Sequence, residues 1–179
     1  MSEERTRLVR WEDPSVTALA AKGRTGLAYL RAIADGTVPP APIQFTLGFE
    51  LSSVEEGQAE FRLTPGEHLC NPMGAVHGGV ACTLLDSAMS CAVMSILDER
   101  HAYATVDLMV HLTRGISPQS GPLRAVGKVL HRGGRIVTAE GRLLDEQERL
   151  LAHATTTCMI LERPPPVTAS TYEITERLS

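Results

Sequence analysis

The pattern of apolar and polar positions changes character twice along the 179 residues. In the first forty, SVTALAAKGRTGLAYLRAIADG carries Leu19, Leu27, Leu30 and Ile33 with breaks at Gly23 and Gly26, which predicts one or two short amphipathic helices. VPPAPIQ stops that pattern, because proline lacks an amide N–H and pushes its predecessor toward extended geometry. From about Ile43 the period falls to two. QFTLGFELSSV and GQAEFRLT, the latter alternating Ala59, Phe61 and Leu63 with polar residues, predict two strands paired as a hairpin about Glu55–Gly57. PGEHLCNPMGAVH has the composition of a loop. Gly78 to Leu97 then runs for twenty residues with a single charge. It predicts one long helix of about 30 Å at a rise of 1.5 Å per residue. Beyond it, YATVDLMVHLTR alternates with Val106, Leu108, Val110 and Leu112 on one face. LRAVGKVLHR, RIVTAEGRLLD and LLAHATTTCMILE predict three more strands, parted at Gly133–Gly134 and at Glu146–Glu148.

Six strands about one apolar helix predict an α+β fold with a mostly antiparallel sheet. The helix is apolar on nearly every side, so a curled sheet is expected to cover it all round. The chain divides into a helical extension over 1–41, the main domain over 42–163 and a tail over 164–179. The tail begins with prolines and reads as a loosely attached end.

Composition narrows the classes. Apolar residues make up 43% and charged residues 21%, so the chain is globular rather than disordered or fibrous. Aromatics reach only 4%, so the core is expected to be built from Ala, Val, Leu, Ile and Met. A net charge of −4 gives no basic footprint for nucleic acid. Cys70, Cys82, Cys91 and Cys158 form no CxxC pair and read as reduced, mostly buried thiols of a cytoplasmic protein. The charged N-terminus has no secretory apolar stretch. The long apolar helix invites a membrane reading, but Asp86 near its middle would cost about 2.5–3.5 kcal/mol at a bilayer centre, so a soluble, membrane-free protein is expected.

Asp86 is also the chemical signal. From His68 to Leu97 it is the sole formal charge. A buried carboxylate is costly, and such groups concentrate at functional sites. His77-Gly78-Gly79 stands directly before the helix, where glycine lets a ligand approach the backbone. The first N–H groups of a helix are unpaired and carry the positive end of its dipole, a ready donor for an oxyanion. Asn71, six residues before His77, is by itself an Asx-turn residue. A GxSxG elbow, a P-loop and a dinucleotide fingerprint are all missing. His68-Leu69-Cys70 lacks a second ligand pair, so no metal is expected.

Together, N-x5-HGG-x6-D resembles the hotdog-fold acyl-CoA thioesterases, in particular the PaaI-like (phenylacetate-degradation type) branch. The resemblance runs from about Pro42 to Leu161, with PIQFTLGFEL as first strand, TVDLMVHLTR after the helix, LRAVGKVLHRGGRIVTAEGRL as hairpin and HATTTCMIL as last strand. It implies hydrolysis of an aryl- or fatty-acyl-CoA thioester to free acid and CoA. Asp86 matches the nucleophile or general base, Gly78 the backbone N–H that polarises the carbonyl, and Asn71 a second polariser or water-positioning residue. His77 matches the histidine that orders the loop. Thr105 and Ser90 both match positions that orient water in relatives. The resemblance further implies a homodimer paired edge to edge, with Asp86 of one chain facing His77 and Gly78 of the other, and a dimer of dimers. CoA would be part of the substrate and no separate cofactor is implied. Arg132, Gly133 and Arg135 are candidates for its phosphates, with Arg114 and Lys128 as lesser ones. The helix face around Ala81, Leu84, Leu85 and Met89 would line the acyl pocket, with the extension as its cover. A hotdog enoyl-CoA hydratase or dehydratase and a non-catalytic acyl-CoA-binding module are the alternatives.

Overall fold

The period-two segments form one antiparallel sheet. The computed structural model describes residues 4–163, so the expectation for the tail over 164–179 lies outside the described residues. The strands are β1 (Phe49–Glu55), β2 (Gln58–Leu63), β3 (His101–Leu112), β4 (Leu123–Arg132), β5 (Ile136–Leu144) and β6 (Leu150–Glu162). Their order across the sheet is β1-β2-β4-β5-β6-β3, every pairing is antiparallel, and β1 and β3 are its two unclosed edges. Three helices precede the sheet: α1 (Pro14–Ala20), α2 (Gly26–Ala34) and α3 (Pro42–Leu47). The long helix α4 (Gly78–Ser95) packs against all six strands, which gives the hotdog architecture.

Glycines set how closely the sheet approaches α4. Gly127 of β4 and Gly141 of β5 are cross-strand partners. A Cβ on Gly127 would lie 2.3 Å from the backbone carbonyl of Ala88, and one on Gly141 would lie 3.0 Å from Leu85 and Met89. Over this pair Ala81, Leu84, Leu85, Ala88, Met89 and Ala92 are at most 1% exposed. Small residues thus buy close packing in a core with few aromatic rings, of which Phe49 and Phe61 form one edge-on pair.

The extension belongs to the same core, with Tyr29, Leu30 and Val38 buried in it. At the start of α2 a Cβ on Gly26 would stand 1.8 Å from the carbonyl oxygen of Met94, and the Gly26 N–H donates to the Leu97 carbonyl (2.9 Å). Hence α2 seals the C-terminal end of α4. The extension is thus a packed part of the core.

Four expectations are corrected. Residues 42–47 are helical rather than the start of the first strand. Pro42 occupies the first turn, the Ala41 N–H donates to Gln44 Oε1 (3.2 Å), and Gly48 closes the helix at φ +81°. The alternation in β3 breaks: Val106 is 59% exposed and Leu112 56%, while Leu108 and Val110 pack on the core. A register shift between Thr105 and Asp107 makes Val106 the extra residue of a bulge and turns it outward, whereas Leu112 shares the inner side with Leu108 and Val110 and lies against Gly78 at the end of the strand. Third, α4 is not covered all round, because Thr83, Asp86, Ser87, Cys91 and Met94 form a half-buried stripe. Fourth, only Cys158 is fully buried among the four free cysteines.

Candidate active site

The loop before α4 is fixed by its own backbone. Asn71 Oδ1 accepts from the N–H groups of Met73 (2.9 Å) and Ala75 (3.3 Å), which leaves its amide nitrogen as a further donor. The N–H groups of Val76 and His77 donate to the carbonyls of Ile116 and Leu69, both at 2.8 Å. His77 caps α4: its Nδ1 accepts from the Gly79 N–H at 2.9 Å. A neutral ring in that arrangement carries its proton on Nε2, which becomes a donor. The Gly79 N–H is therefore taken, whereas that of Gly78 meets no acceptor among the described residues. Gly78 lies against β3, where a Cβ would be 2.7 Å from Leu112 Cδ1. Asn71, Gly78, Ala81, Leu112 and Arg114 share a cavity of about 300 Å³.

Asp86 stands two turns along α4, half-buried on the uncovered stripe. Burial pushes its carboxyl above the usual aspartate range, and the Thr105 hydroxyl, which donates to Oδ1 at 3.2 Å, opposes that shift. Ser90 is placed differently. Its hydroxyl donates to the main-chain carbonyl of Asp86 at 2.6 Å, one turn back, and does not reach the carboxylate. Three groups that the sequence did not assign to the site complete the surroundings, the first being the buried Cys158 thiol on β6, which is raised by burial, interacts with Thr156 and Thr105, and is raised further by the Asp86 charge. Tyr103 on β3 is held as a neutral phenol by burial and interacts with Ser90. The Cys91 thiol is pushed up to about 12 by burial, with the Asp86 charge adding to the shift. All three stay protonated at neutral pH.

The structure does not bring all candidates together. Arg132 donates to the Ile96 carbonyl (3.2 Å) past the C-terminal end of α4, and Gly133 and Arg135 belong to the same β4–β5 turn. They therefore sit about 27 Å from Gly78 along the helix at its standard rise. Arg114, the lesser candidate, is the cation in the cavity beside Gly78. The expected acyl lining is also corrected: Leu84, Leu85 and Met89 are sealed against the sheet and only Ala81 touches that cavity. Among the described residues no cluster of three His, Cys, Asp or Glu could hold a metal ion.

A hotdog fold with a lone helix carboxylate and a free N–H at the helix mouth defines a hydrolase class, and comparison with known proteins agrees. The thioesterase superfamily pattern matches residues 73–152. The 1,4-dihydroxy-2-naphthoyl-CoA hydrolase of Listeria monocytogenes is 33% identical over 110 residues, 61% of this chain and 87% of that protein. A phenylacetic acid degradation-related protein from Ralstonia eutropha JMP134 has a similar structure (TM-score 0.66, 27% identity, 73% of this chain and 98% of that one). A thioesterase from Haemophilus influenzae shares the fold (TM-score 0.64, 21% identity, 70% of this chain and 87% of that one). The chain belongs to the thioesterase superfamily.

Proposed function

We propose that the protein hydrolyses an acyl-CoA thioester with an aromatic acyl group, releasing the free acid and CoA. The observation that carries this reading is the half-buried Asp86 carboxylate, hydrogen-bonded by Thr105 on the open stripe of α4. The naphthoyl-CoA hydrolase among the relatives supports the aromatic class. In this reading Asp86 takes a proton from water, whose oxygen attacks the carbonyl carbon, or attacks that carbon itself to give a mixed anhydride that water cleaves after CoA has left. The thioester oxygen gains negative charge and is met by the Gly78 N–H, with the Asn71 amide and His77 Nε2 as nearby donors. The C–S bond then breaks and CoA leaves as the thiolate. A preorganised donor of this kind contributes about 2.7–4 kcal/mol to the transition state. Thr105, rather than Ser90, orients the carboxylate.

One chain alone cannot assemble these groups. Asp86 and Gly78 are eight residues apart on one helix, about 12 Å, too far to act on one carbonyl. β3 offers the remedy, because it has a free edge and exposes Val106, Met109 and Leu112 at 59, 60 and 56%. An antiparallel pairing of β3 with a second copy that sets Thr105 opposite the copy's Leu112 would carry the copy's Gly78, which lies on its Leu112, toward Asp86. We therefore infer a homodimer with two composite sites, able to pair again into a tetramer. Arg114 of the HGG-donating copy is the nearest cation for the CoA arm, and Arg132 and Arg135 would reach only its far phosphates.

The test is a panel of benzoyl-, phenylacetyl-, 1,4-dihydroxy-2-naphthoyl-, hexanoyl- and palmitoyl-CoA, followed by release of free thiol. Aromatic esters should show the highest kcat/KM. Loss of enoyl-CoA absorbance without thiol release would favour a hydratase, and tight binding without turnover would favour a binding module.

A further inference from the structure

We infer that Asp107 is a positioning residue: it latches the β3 bulge from which Thr105 reaches Asp86. This inference rests on the role proposed above for Asp86. Side chains of an unbroken strand alternate between faces, so residues an odd number of positions apart point opposite ways. Thr105 faces Asp86, yet Leu108 and Val110 pack on the same inner side. They share that side because Val106 is an extra residue: Thr105 pairs with Cys158 and Asp107 with Thr157, its immediate neighbour. Without the bulge, either Thr105 or the Leu108–Val110 pair would turn outward.

A bulge disrupts its ladder and leaves backbone groups to be satisfied in another way. Asp107 does this with both its parts. Its Oδ1 accepts from the Thr157 N–H at 3.2 Å, and its main-chain carbonyl accepts from Thr156 Oγ1 at 2.7 Å. Thr156 is 2% exposed, so that second bond is made inside the sheet, where its loss would leave the buried hydroxyl only the Cys158 thiol, a weak partner. Asp107 itself is exposed and touches none of the reacting groups. Its effect passes through the backbone to Thr105, one bulge residue away.

The latch predicts a change in how Asp86 titrates. The Thr105 hydrogen bond favours the ionised carboxylate, so losing it moves the acid limb of activity to higher pH. The experiment is the pH dependence of benzoyl-CoA hydrolysis by the full chain and its variants. Asp107→Ala and Thr105→Val should each lower kcat about tenfold and raise the acid limb by about half to one pH unit, the size expected for one hydrogen bond. The double variant should be no worse than Thr105→Val alone, because both remove the same contact. Asp107→Asn keeps an acceptor oxygen for Thr157 and should retain the wild-type limb. Should Asp107→Ala not fold, Thr156→Val removes the other bond and carries the same expectation. An unmoved acid limb, or losses that multiply in the double variant, overturns the latch. Asp86→Asn is measured alongside. Loss of its turnover together with an unmoved limb in Asp107→Ala overturns the latch alone; full turnover in Asp86→Asn overturns the reading of the site and the latch with it.

Discussion

The two faces of α4 are built from similar small residues and do opposite work. Toward β4 and β5 the helix sits on a glycine pair so closely that a methyl group on Gly127 would meet backbone atoms. Every side chain there is apolar and sealed. On its other side the same helix leaves Thr83, Asp86, Ser87 and Cys91 half-buried, with Asp86 meeting Thr105 of a strand that is bulged and unpaired on its outer edge. The sealed face holds the fold, and this leaves the other face free to keep a carboxylate that a stability-driven sequence would replace. Substitutions on the first face should therefore change stability and leave turnover per folded molecule alone, and those on the second should do the reverse.

The largest effect on the sealed side is expected from Gly127→Ala. Its Cβ has no flexible neighbour to displace, so the helix or the strand has to move. A cost of about 3 kcal/mol, or roughly 6–12 °C in Tm for a domain of this size, is expected by thermal melting. Turnover per folded molecule should stay close to wild type. A loss of activity at unchanged Tm would break the division between the faces.

On the open side Gly78→Ala should do the opposite. The added methyl meets only the tip of Leu112, at 2.7 Å, so Tm should move little. It also crowds the N–H proposed to meet the thioester oxygen, and kcat/KM should fall about tenfold, a fraction of what full loss of such a donor costs. A smaller contrast separates the two hydroxyls near Asp86. Ser90→Ala removes a bond to a main-chain carbonyl and one to the Tyr103 phenol, neither made to the carboxylate, and should change kcat less than about twofold. Thr105→Val should exceed it clearly in the same assay.

Most of the sheet and all of α4 were legible because the hydrophobic period changes cleanly from two to a long apolar run and back. Asp86 stood out as a lone charge where a core would have none. Two features were hidden. QFTLGFEL has strand-like alternation, and only Pro42 before it and Gly48 within it marked the helical turn that the Gln44 bond to Ala41 completes. The bulge was harder to see, since Thr105-Val106-Asp107 reads as a regular strand until the register with β6 is known. The signal available was Asp107, the one carboxylate in the strand. The open stripe of α4 was masked because serine, cysteine and threonine are small enough to pass for core.

The central claim is that Asp86 is kept for chemistry at a cost to stability. Burial raises its carboxyl above the range it has in the unfolded chain. The folded state therefore gives up stability as pH rises from the ordinary aspartate range through the raised value, and the loss persists at neutral pH. The most direct test is kcat/KM of Asp86→Asn on the best aryl-CoA, with Tm recorded on the same samples at pH 7. The account predicts a fall in kcat/KM of about a thousandfold or more, with Tm equal to or above wild type. Near wild-type turnover in Asp86→Asn would contradict it.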